Sequence, residues 1–123
     1  MKIRVYYEDT DLGGVVYHSK YLNFCERARS ELFFKKGKSP VYEGHHFVVK
    51  NLEANYYQPA LLGDELKVET EVEELKKVSV KLRQIIYKRE RKIFELSITL
   101  VCLKENRPAK IPHYFLEVFA QTP

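Results

Sequence analysis

Hydrophobic and polar positions change rhythm twice along this chain of 123 residues. Over residues 2–8, Ile3, Val5 and Tyr7 alternate with Lys2, Arg4 and Tyr6, the period of two of a half-buried strand. From Ser19 the period lengthens: Tyr21, Phe24, Cys25, Ala28 and Leu32 recur at helical spacing, while Lys20, Asn23, Arg27, Ser30 and Glu31 fill the other side. This predicts an amphipathic helix over about 20–36, with Ser19 as its N-cap and Gly37 and Pro40 as its stop. Beyond Pro40 the period returns to two. Leu52, Ala54 and Tyr56 form one row, and Leu66, Val68, Thr70 and Val72 a second. Val78, Val80, Leu82 and Ile86 form a third around Gln84, and Phe94, Leu96, Ile98, Leu100 and Cys102 a fourth. Breaks fall at 59–64, 76–77, 90–92 and 106–108, and Pro112 predicts a short helical turn through His113 to Phe119.

One strand, one long helix and four strands joined by short turns describe an α+β class with an antiparallel sheet, within one domain over 1–123. Ile85 beside Ile86, and the run LVCL at 100–103, offer apolar groups to both sheet faces. One helix covers one face, so self-association is predicted to bury the remainder.

Composition narrows the class further. Apolar residues at 45% and charged residues at 31% fit a folded globular chain rather than a disordered one. A formal net charge of +4 suits an anionic ligand but lacks the density of a dedicated nucleic-acid binder. Cys25 and Cys102 are far apart and neither lies in a CxxC pair, which argues against a disulfide framework or a thiolate zinc site and for a reducing cytoplasm. No apolar run is long enough for a signal peptide or a membrane span. His45 and His46 would point to opposite faces of a strand, and Cys25 lies on the apolar stripe, so neither suggests a metal centre or a nucleophile.

The chemistry concentrates in YYEDTDLGGVVYHSKYLNF at 6–24. Asp11 precedes Gly13 and Gly14, which allow close backbone approach or positive φ, and His18 falls just before the helix start. A helix start presents unpaired N–H groups and the positive end of the dipole. A carboxylate beside such donors makes a workable hydrolytic site, the carboxylate attacking or deprotonating water and the N–H groups holding an oxyanion. On spacing alone, a solvated turn with Glu8, Asp9 and Asp11 as turn residues and His18 as a surface histidine is the favoured reading.

The stretch EDTDLGGVVYHSKYLNFCERAR at 8–29 resembles the signature of the 4-hydroxybenzoyl-CoA thioesterase family of hotdog proteins, and is most similar to its Tol–Pal-associated acyl-CoA thioesterase subfamily. YYQPALLGDELKVETEV at 56–72 resembles the family's second and third strands with the turn between them. The resemblance implies a hotdog fold, a five- to six-stranded antiparallel sheet wrapped around a long central helix, with protomers joined as dimers and dimers paired as tetramers. It implies hydrolysis of an acyl-CoA to free acid and coenzyme A without cofactor or metal. Asp11 would be nucleophile or general base, His18 an orienting group, and the backbone N–H groups of Tyr17 and His18 the oxyanion site. Asp9 and Gly14, with Thr10, would support the loop. Lys76, Lys77 and Ser79, in the turn LKKVS, would contact the coenzyme A phosphates, although Val78 stands where the best-known relative has a basic residue. The subfamily also suggests a peripheral link to the inner membrane. A second basic cluster, Lys88, Arg89, Arg91 and Lys92, reads as a solvated hairpin tip. The rivals are a hotdog dehydratase of hydroxyacyl thioesters and a non-catalytic module binding acyl-CoA or single-stranded nucleic acid.

Overall fold

The computed structural model describes residues 1–120 and wraps one antiparallel sheet around helix α1 (Lys20–Phe34). The strands are β1 (Lys2–Arg4), β2 (His45–Tyr56), β3 (Glu65–Leu75), β4 (Ser79–Lys88), β5 (Arg91–Lys104) and β6 (Arg107–Pro108), followed by α2 (His113–Phe119). Their order is β1-β3-β4-β5-β2, with β6 added to β5. This is the α+β hotdog arrangement that the patterning and the resemblance led us to expect.

The core follows the apolar rows. Leu66 and Val68 of β3, Val80, Leu82 and Ile86 of β4, and the whole Phe94–Cys102 row of β5 are buried with Tyr21, Phe24, Cys25 and Ala28 of α1. Gln84 sits fully buried within this apolar row. Its Nε2 donates to the Cys25 carbonyl at 2.9 Å and to Thr70 Oγ1 at 3.0 Å, and its Oε1 accepts from Arg29 Nη1 at 2.9 Å. One amide therefore ties β4 to α1 and to β3, with its donor and acceptor atoms both engaged.

Several boundaries depart from the pattern for visible reasons. β1 stops at Arg4, because the Tyr6 N–H donates to Asp9 Oδ2 and turns the chain into a 3-10 turn over Tyr7–Asp9; Tyr7 is exposed rather than inward-facing. Helix α1 ends at Phe34, two residues early, and Gly37 at φ +68 lets its own N–H and that of Lys38 reach the Phe34 and Phe33 carbonyls. Ser19 adopts helical angles and its hydroxyl caps nothing. Phe33, rather than Leu32, completes the buried stripe, since α2 lays Phe115 and Phe119 edge-on against its ring. β2 begins at His45, with a bulge between Val49 and Asn51 that resets the alternation. As the sheet's edge it leaves Val48, Val49 and Leu52 exposed. The outer face is more polar than LVCL suggested: Arg83 forks between Glu71 and Glu95, and Val101 and Leu103 are only half-buried.

Candidate active site

The loop between β1 and α1 folds back on itself before the helix begins. Asp11 N–H donates to the Val15 carbonyl at 2.9 Å, Gly14 N–H donates to the Asp11 carbonyl at 3.0 Å, and Thr10 pairs with Val16 as an antiparallel bridge. Gly14 makes the reversal at φ +79, a conformation an L side chain resists. The Asp11 carboxylate completes the turn: Oδ1 accepts from Gly13 N–H at 2.9 Å and from Val15 N–H at 3.2 Å. A β-carbon on Gly13 would lie 3.4 Å from that oxygen. Oδ2 takes no hydrogen bond from any described residue, and the side chain is half-buried. One oxygen is thus pinned by two peptide groups while the other stays open.

Asp9 anchors the loop from beneath. It is 2% exposed, its Oδ2 accepts from Tyr6 N–H at 2.9 Å, and its carbonyl accepts from Tyr17 N–H at 3.1 Å. Asp9 Oδ1 lies 3.7 Å from Lys20 Nζ, an ion pair without a hydrogen bond. The 57–64 segment supports the other side, with Val16 N–H donating to Ala60 carbonyl at 3.0 Å and Leu62 N–H to Gly14 carbonyl at 2.9 Å. Two tyrosines lock this junction to the helix. The buried Tyr21 hydroxyl accepts from Ala60 N–H at 2.9 Å, and Tyr56 hydroxyl donates to the His18 carbonyl at 2.7 Å.

The helix tip differs from expectation in one donor. Tyr17 N–H, expected to face an oxyanion, is spent on Asp9 carbonyl, because the antiparallel return of the loop carries it there. The N–H groups of His18 and Ser19 have no backbone acceptor among the described residues, and both residues are exposed. They stand at the positive end of a 15-residue helix. The His18 ring is exposed beside them without a hydrogen-bond partner among the described residues. Cys25, about two turns further on, is buried, and that burial pushes its thiol up to about 12, unsuited to nucleophilic work at neutral pH.

Lys76, Lys77 and Ser79 do form the β3–β4 turn, closed by Lys76 N–H donating to Ser79 carbonyl at 2.8 Å. They are not brought to Asp11. β3 leaves the Asp11 end at Glu65 and runs 11 residues before that turn, roughly 35 Å at strand rise. Lys76 Nζ is also held by Glu74 at 3.0 Å. The other basic cluster lies at the Asp11 end, where Lys88 pairs with Asp64 at 2.8 Å and Arg91 donates to Gln58 at 3.3 Å. His45 and His46 occupy successive positions of β2, and His45 Nδ1 lies 3.2 Å from Tyr42 carbonyl. Among the described residues no three His, Cys, Asp or Glu side chains converge as a metal would require.

The patterning did not single out Lys20 or Tyr56 as partners of the loop. Both sit in the stretches that carry the resemblance, and only the fold shows that one meets Asp9 and the other the His18 carbonyl. The arrangement is an oriented carboxylate with one open oxygen, followed within a few residues by a helix start with two open N–H donors. That combination suits attack on, or activation of water toward, a carbonyl whose oxygen gains charge.

Known proteins share this frame. The thioesterase superfamily profile matches residues 13–95, a span that opens two residues after Asp11. Acyl-CoA thioesterase YbgC of Helicobacter pylori is 53% identical over 87 residues, covering 71% of this chain and 65% of that protein. Acyl-CoA thioester hydrolase YbgC of Escherichia coli is 37% identical over 125 residues, covering 97% of this chain and 93% of that protein. The crystal structure of a hypothetical protein from Aquifex aeolicus superposes with a TM-score of 0.91 at 27% identity, covering 97% of both chains. With fold, loop and similarity in agreement, the chain belongs to the thioesterase superfamily.

Proposed function

We propose that this protein is an acyl-CoA thioesterase, hydrolysing an acyl-CoA to the free acid and coenzyme A, with residues 1–123 acting as one catalytic unit. The observation that carries the reading is the Asp11 carboxylate, fixed through Oδ1 by Gly13 and Val15 and open at Oδ2, in the loop that leads into α1. The thioester carbonyl oxygen sits against the His18 and Ser19 N–H groups, Ser19 taking the place first expected of Tyr17. One such donor contributes on the order of 3 kcal/mol to a transition state that places charge on oxygen. In the nucleophilic route Asp11 Oδ2 bonds to the carbonyl carbon and the C–S bond breaks. Coenzyme A leaves as the thiolate and is protonated from solvent, and water then opens the anhydride to the acid. In the general-base route Asp11 takes a proton from the attacking water directly. His18 orients the substrate, while Asp9 and Gly14 hold the loop.

Lys76, Lys77 and Ser79 enter this reading only as contributions from a second protomer, because their turn lies at the far end of β3. The open edge of β2, with Val48, Val49 and Leu52 exposed, supports a dimer of joined sheets, and dimers pairing into a tetramer complete the proposal. Cys25 and Cys102, both buried and unpaired, support a cytoplasmic setting, with peripheral contact to the inner membrane as its outer limit.

The test is release of thiol from a series of short- to long-chain acyl-CoAs by the wild type, Asp11→Asn and His18→Ala. Asp11→Asn keeps an amide oxygen for Gly13 and Val15, so its melting is unchanged while turnover falls on the order of 10³-fold or more. His18→Ala loses on the order of tenfold. Near wild-type turnover by Asp11→Asn removes the carboxylate from the mechanism. Enoyl product without thiol release indicates a dehydratase, and tight acyl-CoA binding without turnover a binding module.

A further inference from the structure

Residues 60–62 run beside residues 14–16 on the edge that Asp11 does not occupy. Val16 N–H donates to the Ala60 carbonyl at 3.0 Å, Leu62 N–H donates to the Gly14 carbonyl at 2.9 Å, and Val15 bridges Leu61. Packing does little to secure this support, because Leu61, Leu62 and Gly63 are all exposed. A polar side chain fastens it instead. Asp64 Oδ2 accepts from Leu61 N–H at 2.8 Å, and Asp64 N–H donates to the Leu61 carbonyl at 3.0 Å, closing a turn that passes Gly63 at φ +87. The turn is tied to the chain just beyond β1, with Val5 N–H donating to the Asp64 carbonyl at 2.9 Å and Gly63 N–H to the Val5 carbonyl at 3.0 Å. Asp64 Oδ2 also lies 2.8 Å from Lys88 Nζ. Burial acts to raise the Asp64 carboxyl, but the Lys88 and Leu61 hydrogen bonds outweigh it, so the group stays below its ordinary value and is ionised at neutral pH.

We propose that Asp64 is a positioning residue for the Asp11 carboxylate, acting through Leu61 to hold residues 60–62 against 14–16 and so to set Val15 N–H on Asp11 Oδ1. Two hydrogen-bonded steps join the two carboxylates, Asp64 to Leu61 and Val15 to Asp11, with the Val15–Leu61 bridge between them. The Lys88 side chain is 33% exposed, so its pairing with Asp64 is screened and the Leu61 bond does more of the holding. The effect of Asp64 on turnover presupposes Asp11 as the reacting group; its hold on the loop does not.

Steady-state thiol release from one acyl-CoA, paired with amide hydrogen exchange on the full chain, tests this. Asp64→Ala lowers kcat on the order of tenfold to a hundredfold, as a shift of a reacting group does, and leaves KM within about twofold. Asp64→Asn keeps an oxygen for Leu61 N–H and restores kcat to within about threefold of wild type, and Lys88→Met stays in that range too. In Asp64→Ala the Val16 and Leu62 amides exchange on the order of tenfold faster, while those of Leu82 and Ile98 in the core do not change. Should the wild type release no thiol, the proposed reaction falls and exchange alone decides the role of Asp64. Unchanged exchange at Val16 and Leu62 overturns the proposal, as does a kcat for Asp64→Ala within about twofold of wild type. So does a loss confined to KM, which would move Asp64 from the loop to the substrate, or an Asp64→Asn defect as deep as that of Asp64→Ala, which would assign the effect to charge.

Discussion

Replacing Gln84 by Leu should destabilise the protein far more than an isosteric polar-to-apolar change in a core ordinarily would. The amide makes three hydrogen bonds in a site with no measurable exposure. Leucine removes all three, but the orphaned partners differ. The Cys25 carbonyl, being inside α1, keeps its helical donor. Thr70 is half-buried and turns its hydroxyl toward water. Arg29, itself half-buried, loses the acceptor that fixes it, and a charged group left short of partners typically costs the upper part of the 1–3 kcal/mol range. The apolar side chain returns about 1 kcal/mol of transfer free energy. The net loss is about 1–2 kcal/mol, a fall in melting temperature of roughly 5 °C for a chain this size. Urea unfolding at one fixed protein concentration reads it as a midpoint shift of about 1 M, and the fixed concentration removes the effect of association. Combining Gln84→Leu with Arg29→Met removes the stranded cation together with its acceptor, so the pair should be about 1–2 kcal/mol less destabilised than the sum of the singles. If Gln84→Leu alone stays within about 0.5 kcal/mol of wild type, the amide does not tie helix to sheet as described.

Three further outcomes follow from the loop and the outer face. Tyr56→Phe deletes the hydroxyl that holds the His18 carbonyl; it should cost about 1 kcal/mol in unfolding free energy and lower kcat several-fold with little change in KM, read by paired melting and thiol-release assays. Gly14→Ala forces a side chain into φ +79, a strain of about 1–2 kcal/mol. Because the strain falls on the turn that seats Asp11, the loss of kcat should outlast any stabilising additive that restores melting. Glu95, hydrogen-bonded by Arg83 and Lys92, has its carboxyl lowered from 4.5 to about 2. Its contribution is therefore complete above the unfolded value and is lost as pH falls from about 4.5 towards 2. Glu95→Gln should flatten that limb of a stability–pH curve, and an unchanged limb would show that the pair contributes nothing.

The period-two rows and the i, i+3, i+4 stripe made the sheet and helix legible, because burial on one face leaves its mark residue by residue. What stayed hidden was decided by contacts distant in sequence. Phe33 is buried because α2 returns Phe115 and Phe119 to it, and Ser19 does not cap because it already carries helical angles itself. Asp11, Asp9 and Gly14 were visible as candidates, yet the loss of Tyr17 N–H to Asp9 carbonyl depends on the loop doubling back. Lys76 and Lys77 show the converse. The resemblance grouped them with the coenzyme A contacts, and the length of β3 separates them from Asp11 within one chain.

The seat of the Asp11 carboxylate is built almost wholly from peptide groups: Gly13 and Val15 hold the oxygen, and Ala60, Leu62 and Asp9 hold the loop through their main chains. Leu12, Tyr17, Leu61 and Leu62 meanwhile project from the same rim into solvent. Under the proposed mechanism, reactivity and selectivity are therefore written on different atoms. On that proposal a lineage, or a protein engineer, could exchange the rim side chains to suit a new acyl group while the Asp11 oxygen keeps its address.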